Sequence, residues 1–174
     1  LIAKRQHHWK WGRVLLPVLF VVFCMGWSSS MAGIKDSTLT VPKPAAKDKC
    51  PVCGMFVAKY PDWTMIVVFR DGSHVFFDGA KDMFKYLLDM KRYAPSRKTV
   101  DIQAIWVKDY YHLSPIDARK ALYIIGSDIY GPMGRELIPL EQETDAREFL
   151  NDHQGKRILK YSEITKEVIK TLDE

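Results

Sequence analysis

The order of apolar and polar positions lays out most of the folded body. Residues 64–70 (Thr-Met-Ile-Val-Val-Phe-Arg) form a continuous β-prone run, and residues 74–78 (His-Val-Phe-Phe-Asp) form a second. Asp71-Gly72 stands between them and predicts a hairpin, because a tight primed turn needs positive φ. From Gly79 to about Arg92, Met83, Phe84, Leu87 and Leu88 recur at helical spacing, with Asp78 where an N-cap belongs. Tyr93-Ala94-Pro95-Ser96 ends that helix, and residues 102–108 predict another strand.

The second half repeats the order. Residues 121–126 read as a strand and 136–140 as a short one. Thr144 opens a helix carrying Ala146, Phe149 and Leu150, closed by Gly155. Residues 156–161 return as a strand. From Ser162 a terminal helix places Ile164, Val168, Ile169 and Leu172 on one face. The expected class is therefore α+β: a mixed sheet built from two ββαβ units, about 49–110 and 111–174, with a C-terminal helix.

The N-terminal 32 residues differ in kind. Basic residues come first, then an unbroken apolar run from Val14 to Trp27, then Ser28-Ser29-Ser30-Met31-Ala32. Those fourteen residues would rise about 21 Å as a helix, against a hydrocarbon core of about 30 Å. The run thus matches the apolar region of an export signal, with Ser30 and Ala32 as the small residues before a cleavage point at Gly33. Uncleaved, it would act as a membrane anchor. Cys24 lies inside the run and follows Phe23, whereas a bacterial lipoprotein signal wants a small residue there. Residues 33–48, with two prolines and three lysines, read as a tether.

Composition then narrows the function classes. The 174 residues carry 26 Lys+Arg and 21 Asp+Glu, a net charge of +5. Lys4, Arg5, Lys10 and Arg13 belong to the leader, and without them 22 basic groups face 21 acidic ones. The body therefore has no compositional basis for binding nucleic acid. Three cysteines are too few for a disulfide scaffold. No phosphate-cradling loop, nucleophile elbow or H-E-x-x-H sequence occurs.

The chemistry concentrates in Cys50-Pro51-Val52-Cys53-Gly54-Met55, where tether meets body. Two thiols three residues apart can hold one metal or join each other. Thiolates with a thioether favour cuprous copper over hard cations. Three other readings stand beside this one. Met55 taken alone reads more readily as a core residue. Cys50 and Cys53 serve as a redox pair, although Phe56-Val57-Ala58 and Pro61 do not continue as the helix that usually activates one. Structural zinc is the third, and it wants two further ligands that the isolated His74, His112 and His153 do not pattern. A second signal is Tyr130-Gly131-Pro132-Met133-Gly134, a shaped loop presenting a methionine. Asp78 reads as a helix cap, Asp109 as a turn former and Trp106 as core.

Taken in order, several segments make the chain resemble the NosL family, the copper-binding accessory proteins of bacterial nitrous oxide reductase. They are Cys50-Pro-Val-Cys53-Gly54-Met55, the Asp71-Gly72 hairpin with Phe76-Phe77-Asp78, residues 105–110 (Ile-Trp-Val-Lys-Asp-Tyr) and Gly131-Pro132-Met133-Gly134. The similarity covers roughly residues 49 to 162. It implies an exported carrier, not an enzyme, that binds one Cu(I) and delivers it to a client copper enzyme, nitrous oxide reductase, or its assembly factors. It also implies a body of paired ββαβ units. Residue by residue, Cys53 and Met55 match the Cys-Gly-Met ligands, Met133 matches the methionine of the Pro-Met-Gly loop, and Cys50 stands beside them. The expected location is the periplasm or the outer face of the cytoplasmic membrane, with attachment through the N-terminal segment. A thiol-disulfide oxidoreductase using Cys50 and Cys53, or a structural zinc module, are the alternatives.

Overall fold

In the computed structural model the described residues are 41–174. The expected leader, Cys24 and the first part of the tether lie outside them. The strands are β1 (Met65–Phe69), β2 (His74–Phe77), β3 (Ile102–Lys108), β4 (Pro115–Asp117), β5 (Leu122–Ile125), β6 (Tyr130–Gly131), β7 (Gly134–Arg135), β8 (Ile138–Leu140) and β9 (Arg157–Lys160). The helices are α1 (Ala80–Leu88), α2 (Met90–Tyr93), α3 (Glu143–Asp152) and α4 (Lys166–Thr171).

The α+β class and the two ββαβ units appear as the sequence predicts. The first sheet has the order β2-β1-β3-β4, with β4 reaching past the expected boundary at 110, and the second has the order β8-β5-β9. In each, the first strand of the unit lies in the middle, flanked by its hairpin partner and by the strand after the helix. The predicted mixed pairing is not what forms, since every ladder is antiparallel. The crossover helix returns the chain beside the first strand of the unit instead of the second, so no parallel neighbours arise. Centrality explains the composition of β1: all five of its residues are buried, which a continuous apolar run satisfies and an alternating one would not.

Strand periodicity divides the interior of the second half. Tyr123 and Ile125 of β5 join the main core, which also holds Phe77, Met83 and Phe84 from the first half. Ile124 faces the other way, into a smaller cluster with Ile138, Leu140, Ala146 and Phe149 under α3. Phe84 ties the halves together, with its ring 5.2 Å from those of both Tyr123 and Tyr161. Burying an aromatic of this size stabilises by about 1.5–3 kcal/mol. The main core is therefore shared between the halves.

Three predicted helix boundaries move. The run 79–92 is two helices, because Asp89 leaves helical geometry at φ −141, ψ 54. Residues 161–163 make a single tight turn, and the terminal helix starts later, capped by the Thr165 hydroxyl, which accepts from the Val168 N–H at 3.4 Å. Helix α3 is preceded by Gln142 and opens at Glu143, so Thr144 lies within its first turn and is not its cap.

The largest correction concerns Asp78. The residue before α1 is Gly79, and no side chain from its own segment caps the helix. The carboxyl that caps it comes from the other half: Glu136 accepts the backbone N–H of Lys81 through Oε1. The same oxygen accepts the N–H of Leu137 at 2.9 Å. A Cβ on Gly79 would overlap Glu136 Oε2, so glycine here permits the close approach. This frees Asp78 for other contacts.

Glu136 is buried, and burial pushes its carboxyl up to about 8 against an ordinary value of 4.5. The folded state thus holds a proton that the unfolded chain releases near pH 4.5. Stability should fall as pH rises from about 4.5 through about 8, on the order of a few kcal/mol. Glu136→Gln keeps the acceptor without the ionisation and should flatten that slope. Urea unfolding at intervals from pH 5 to 8.5 reads it out, and parallel profiles for the two proteins would mean that Glu136 folds ionised.

Candidate metal centre

The Cys50–Met55 segment folds back on itself as a knuckle. The Cys50 N–H donates to the Met55 carbonyl and the Gly54 N–H to the Cys50 carbonyl, each at 2.9 Å. Lys49 and Phe56 close the base as an isolated antiparallel bridge. Gly54 supplies φ +82, the left-handed geometry that a side chain resists. Proline at 51 and glycine at 54 thus turn the chain within four residues and aim both thiols to one side.

Two carboxylates meet those thiols. Asp78, at the end of β2, lies 3.2 Å through Oδ1 and 3.4 Å through Oδ2 from Cys53 Sγ. Asp82, one turn further along in α1, has Oδ2 3.5 Å from Cys50 Sγ. One donor atom from each of Cys50, Cys53, Asp78 and Asp82 lies within 4.8 Å of every other. Cys50, Asp78 and Asp82 are buried, while Cys53 is half-buried and opens toward solvent. Both cysteines are free thiols. Lys85 Nζ stands 3.8 Å from Asp82 Oδ1 and 2.8 Å from Asp173 Oδ1, supplying a nearby positive charge.

Burial is the main influence on the thiols. It pushes Cys53 up to about 12, with the Asp78 carboxylate adding to the shift and a backbone contact at Met55 opposing it. Cys50 is driven higher still, by burial first and then by the charges of Asp82 and Asp78. Both thiols therefore carry their protons at neutral pH. This differs from an activated redox pair, whose attacking sulfur sits at a helix N-terminus with a lowered pKa.

A cleft of 480 Å³ opens over this cluster, walled by Val52, Cys53, Asp82, Lys85, Met133 and Ile169 among others. Met133 reaches it from the turn between β6 and β7 and is 42% exposed. The fold thus brings Cys50 and Cys53 together and sets Met133 on the same cleft as Cys53. Met55 stays half-buried on the knuckle, where its carbonyl locks the turn, and it does not line the cleft. His74 packs edge-on against Phe76, His112 bonds Asp109, and His153 bonds Asp128. None of these histidines belongs to the thiol cluster.

Asp78 and Asp82 are the candidate groups that the residue pattern did not reveal. Their signal was a pair of acids four apart across a helix start, which places both on one face. That spacing is common on solvated helices. Only the knuckle packed against it gives the pair a different meaning.

Comparison with known proteins extends this picture. The NosL family model matches residues 41–169. A protein of Stutzerimonas stutzeri named copper-binding lipoprotein NosL is 31% identical over 138 residues, spanning 76% of this chain and 71% of that protein. The crystal structure of the copper chaperone NosL from Shewanella denitrificans superposes with a TM-score of 0.62 at 24% identity, covering 73% of this chain and 96% of that one, a likeness of fold. The family match across the folded body, together with the Stutzerimonas relative, establishes that this chain belongs to the NosL family.

Proposed function

We propose that this protein is an exported carrier of copper(I), binding one ion per chain and handing it on for copper-site assembly, with nitrous oxide reductase as client. The observation that carries the reading is that Cys53, one of two clustered thiols, shares an open cleft with the exposed Met133. Soft sulfur donors suit a cuprous ion, and an accessible site suits transfer, because incoming ligands can replace outgoing ones stepwise. Membership of the NosL family and the name of the Stutzerimonas relative support copper as the cargo. The N-terminal apolar run supports export, to the periplasm or the outer face of the cytoplasmic membrane.

In this reading Cys53 is the principal donor, being the thiol open to the cleft. Met133 supplies a thioether from the facing loop, and Met55 and Cys50 complete the sulfur set. Asp78 and Asp82 lie close enough to accept the thiol protons or to hold the ion directly. The carrier needs no turnover chemistry. Raised thiol pKa values and a knuckle in place of a helix start count against the oxidoreductase alternative.

A second reading keeps one specific observation in its favour. Two thiolates with two carboxylates make four donors, a set that zinc accepts. Competition between the two metals on the same protein separates a copper carrier from a zinc module.

Anaerobic titration of the reduced protein against a chromogenic Cu(I) chelator should give one tightly held ion per chain. Cys53→Ser should abolish tight binding, and Met133→Leu should weaken it with the fold retained. Cys50→Ala should keep substantial binding, whereas oxidation of the wild-type pair to a disulfide should remove it. Cu(I) affinity in Cys53→Ser equal to wild type would defeat the assignment, and tighter retention of Zn(II) than Cu(I) would favour the zinc module.

Protonated thiols set the pH dependence. Copper must displace thiol protons, so acid competes with it, and affinity should rise with pH by about tenfold per unit for each proton released. Chelator competition at pH 6, 7 and 8 gives the slope, and proton release in weak buffer gives the count. A flat profile would mean that the thiols are not ligands.

A further inference from the structure

The buried ammonium of Lys81 lies between three separate parts of the chain. Its side chain belongs to α1, one residue before Asp82, and is almost wholly enclosed. Nζ donates to the backbone carbonyl of Met133 at 2.9 Å and to that of Leu172 at 3.4 Å. It also stands 3.3 Å from Asp173 Oδ1. Burying an ammonium is costly unless such partners meet it. A methionine of similar length would fill the space at lower desolvation cost but could donate to none of them.

The same residue is held a second time, through its backbone. Its N–H donates to Glu136 Oε1, and Glu136 lies three residues after Met133. The segment 133–136 therefore grips residue 81 at both ends, the Met133 carbonyl on the side chain and the Glu136 carboxyl on the backbone. Met133 sits at the turn of the ribbon formed by β6 and β7, two residues per strand and paired only with each other. So short a ribbon has little rigidity of its own. Gly131 lies against the Glu136 side chain, where a Cβ would meet Glu136 Cγ at 3.1 Å, so the loop is packed close onto the same carboxyl.

We propose that Lys81 and Glu136 are positioning residues, a two-point clamp that holds Met133 over the cleft facing Cys53 and Asp82. The inference rests on the reading of Met133 as a copper ligand given above. Without the Lys81 contact the methionine carbonyl loses its charged donor and the ribbon is free to swing from the cleft. The thiol knuckle, anchored separately through Lys49 and Phe56, stays in place. The Lys81 side-chain contact thus acts on the thioether, whereas the Glu136 contact also fixes the start of α1, which carries Asp82.

The test is a double-mutant cycle on the reduced full-length protein, using Cu(I) with a chromogenic chelator. Lys81→Met and Met133→Leu should each weaken binding, by about 10–100-fold if the clamp behaves as outer-shell contacts commonly do. The double variant should be no weaker than either single one, because the second change removes a contribution already lost. Additive losses would show that Lys81 acts on the fold and not through Met133, and would overturn the clamp. So would wild-type affinity in Lys81→Met beside a weakened Met133→Leu, and that outcome leaves the copper-site reading intact. Met133→Leu binding like wild type would instead remove Met133 from the site and overturn the clamp's role with it, with Cys53→Ser still reporting on the thiols. If Lys81→Met lacks the native circular-dichroism spectrum, Lys81→Gln replaces it. Its shorter, uncharged head should give an intermediate loss and the same failure to add. As a readout free of copper, the methyl resonance of Met133 in the apo protein should move in Lys81→Met and stay unchanged in Cys50→Ala.

Discussion

The carboxyl of Glu136 on the backbone of Lys81 is the contact on which the rest of the arrangement depends. It is the point where the second half of the chain caps a helix of the first. A helix start leaves backbone N–H groups without intrahelical partners, and here a residue 55 positions away supplies one acceptor. That contact sets the start of α1 against the β6–β7 ribbon. Because the long-range carboxyl takes over the capping, Asp78 turns to Cys53, and Asp82 follows one turn on. The candidate metal centre is assembled around a helix terminus whose own acid has been released for other work.

The centre joins groups with opposed preferences. Thiols resist ionisation when buried beside carboxylates, and both cysteines here are pushed upward for that reason. A cation entering the cluster would reverse the balance, since its charge favours thiolate and carboxylate alike. The cluster on its own is a set of neutral thiols beside acids, and with a bound cation it would become anionic donors around a positive ion. Such a site couples binding to proton movement. The half-exposed Cys53, next to an open cleft, gives that exchange a route to solvent that Cys50 lacks.

Two ββαβ units of like topology have different roles. The first supplies the acids at the junction of β2 and α1, with the knuckle packed against them. The second supplies Glu136 and the methionine loop, inserted between β5 and β8. Since Phe84 packs against Tyr123 and Tyr161, the two units share one interior. Movement of either half relative to the other would disturb the cleft directly.

Much of this was legible along the chain. The β-prone runs around Asp71-Gly72 and the spacing of Met83, Phe84, Leu87 and Leu88 determined strands and helix locally, since periodicity and turn chemistry act between near neighbours. Cys50-Pro-Val-Cys53-Gly54 likewise determined its own knuckle, because proline and glycine constrain the backbone where they stand. The order of motifs sufficed for the family. Tertiary structure alone decided which acid caps α1 and which faces a thiol, since Glu136 and Lys81 are far apart in sequence and only packing compares one carboxylate with another. It also decided that the strand after each helix returns beside the first strand of its unit, making the sheets antiparallel. A pattern of residues records what each segment prefers. The position of Met133 on the cleft depends on which distant segment buries the Lys81 ammonium, and that is a property of the packed chain.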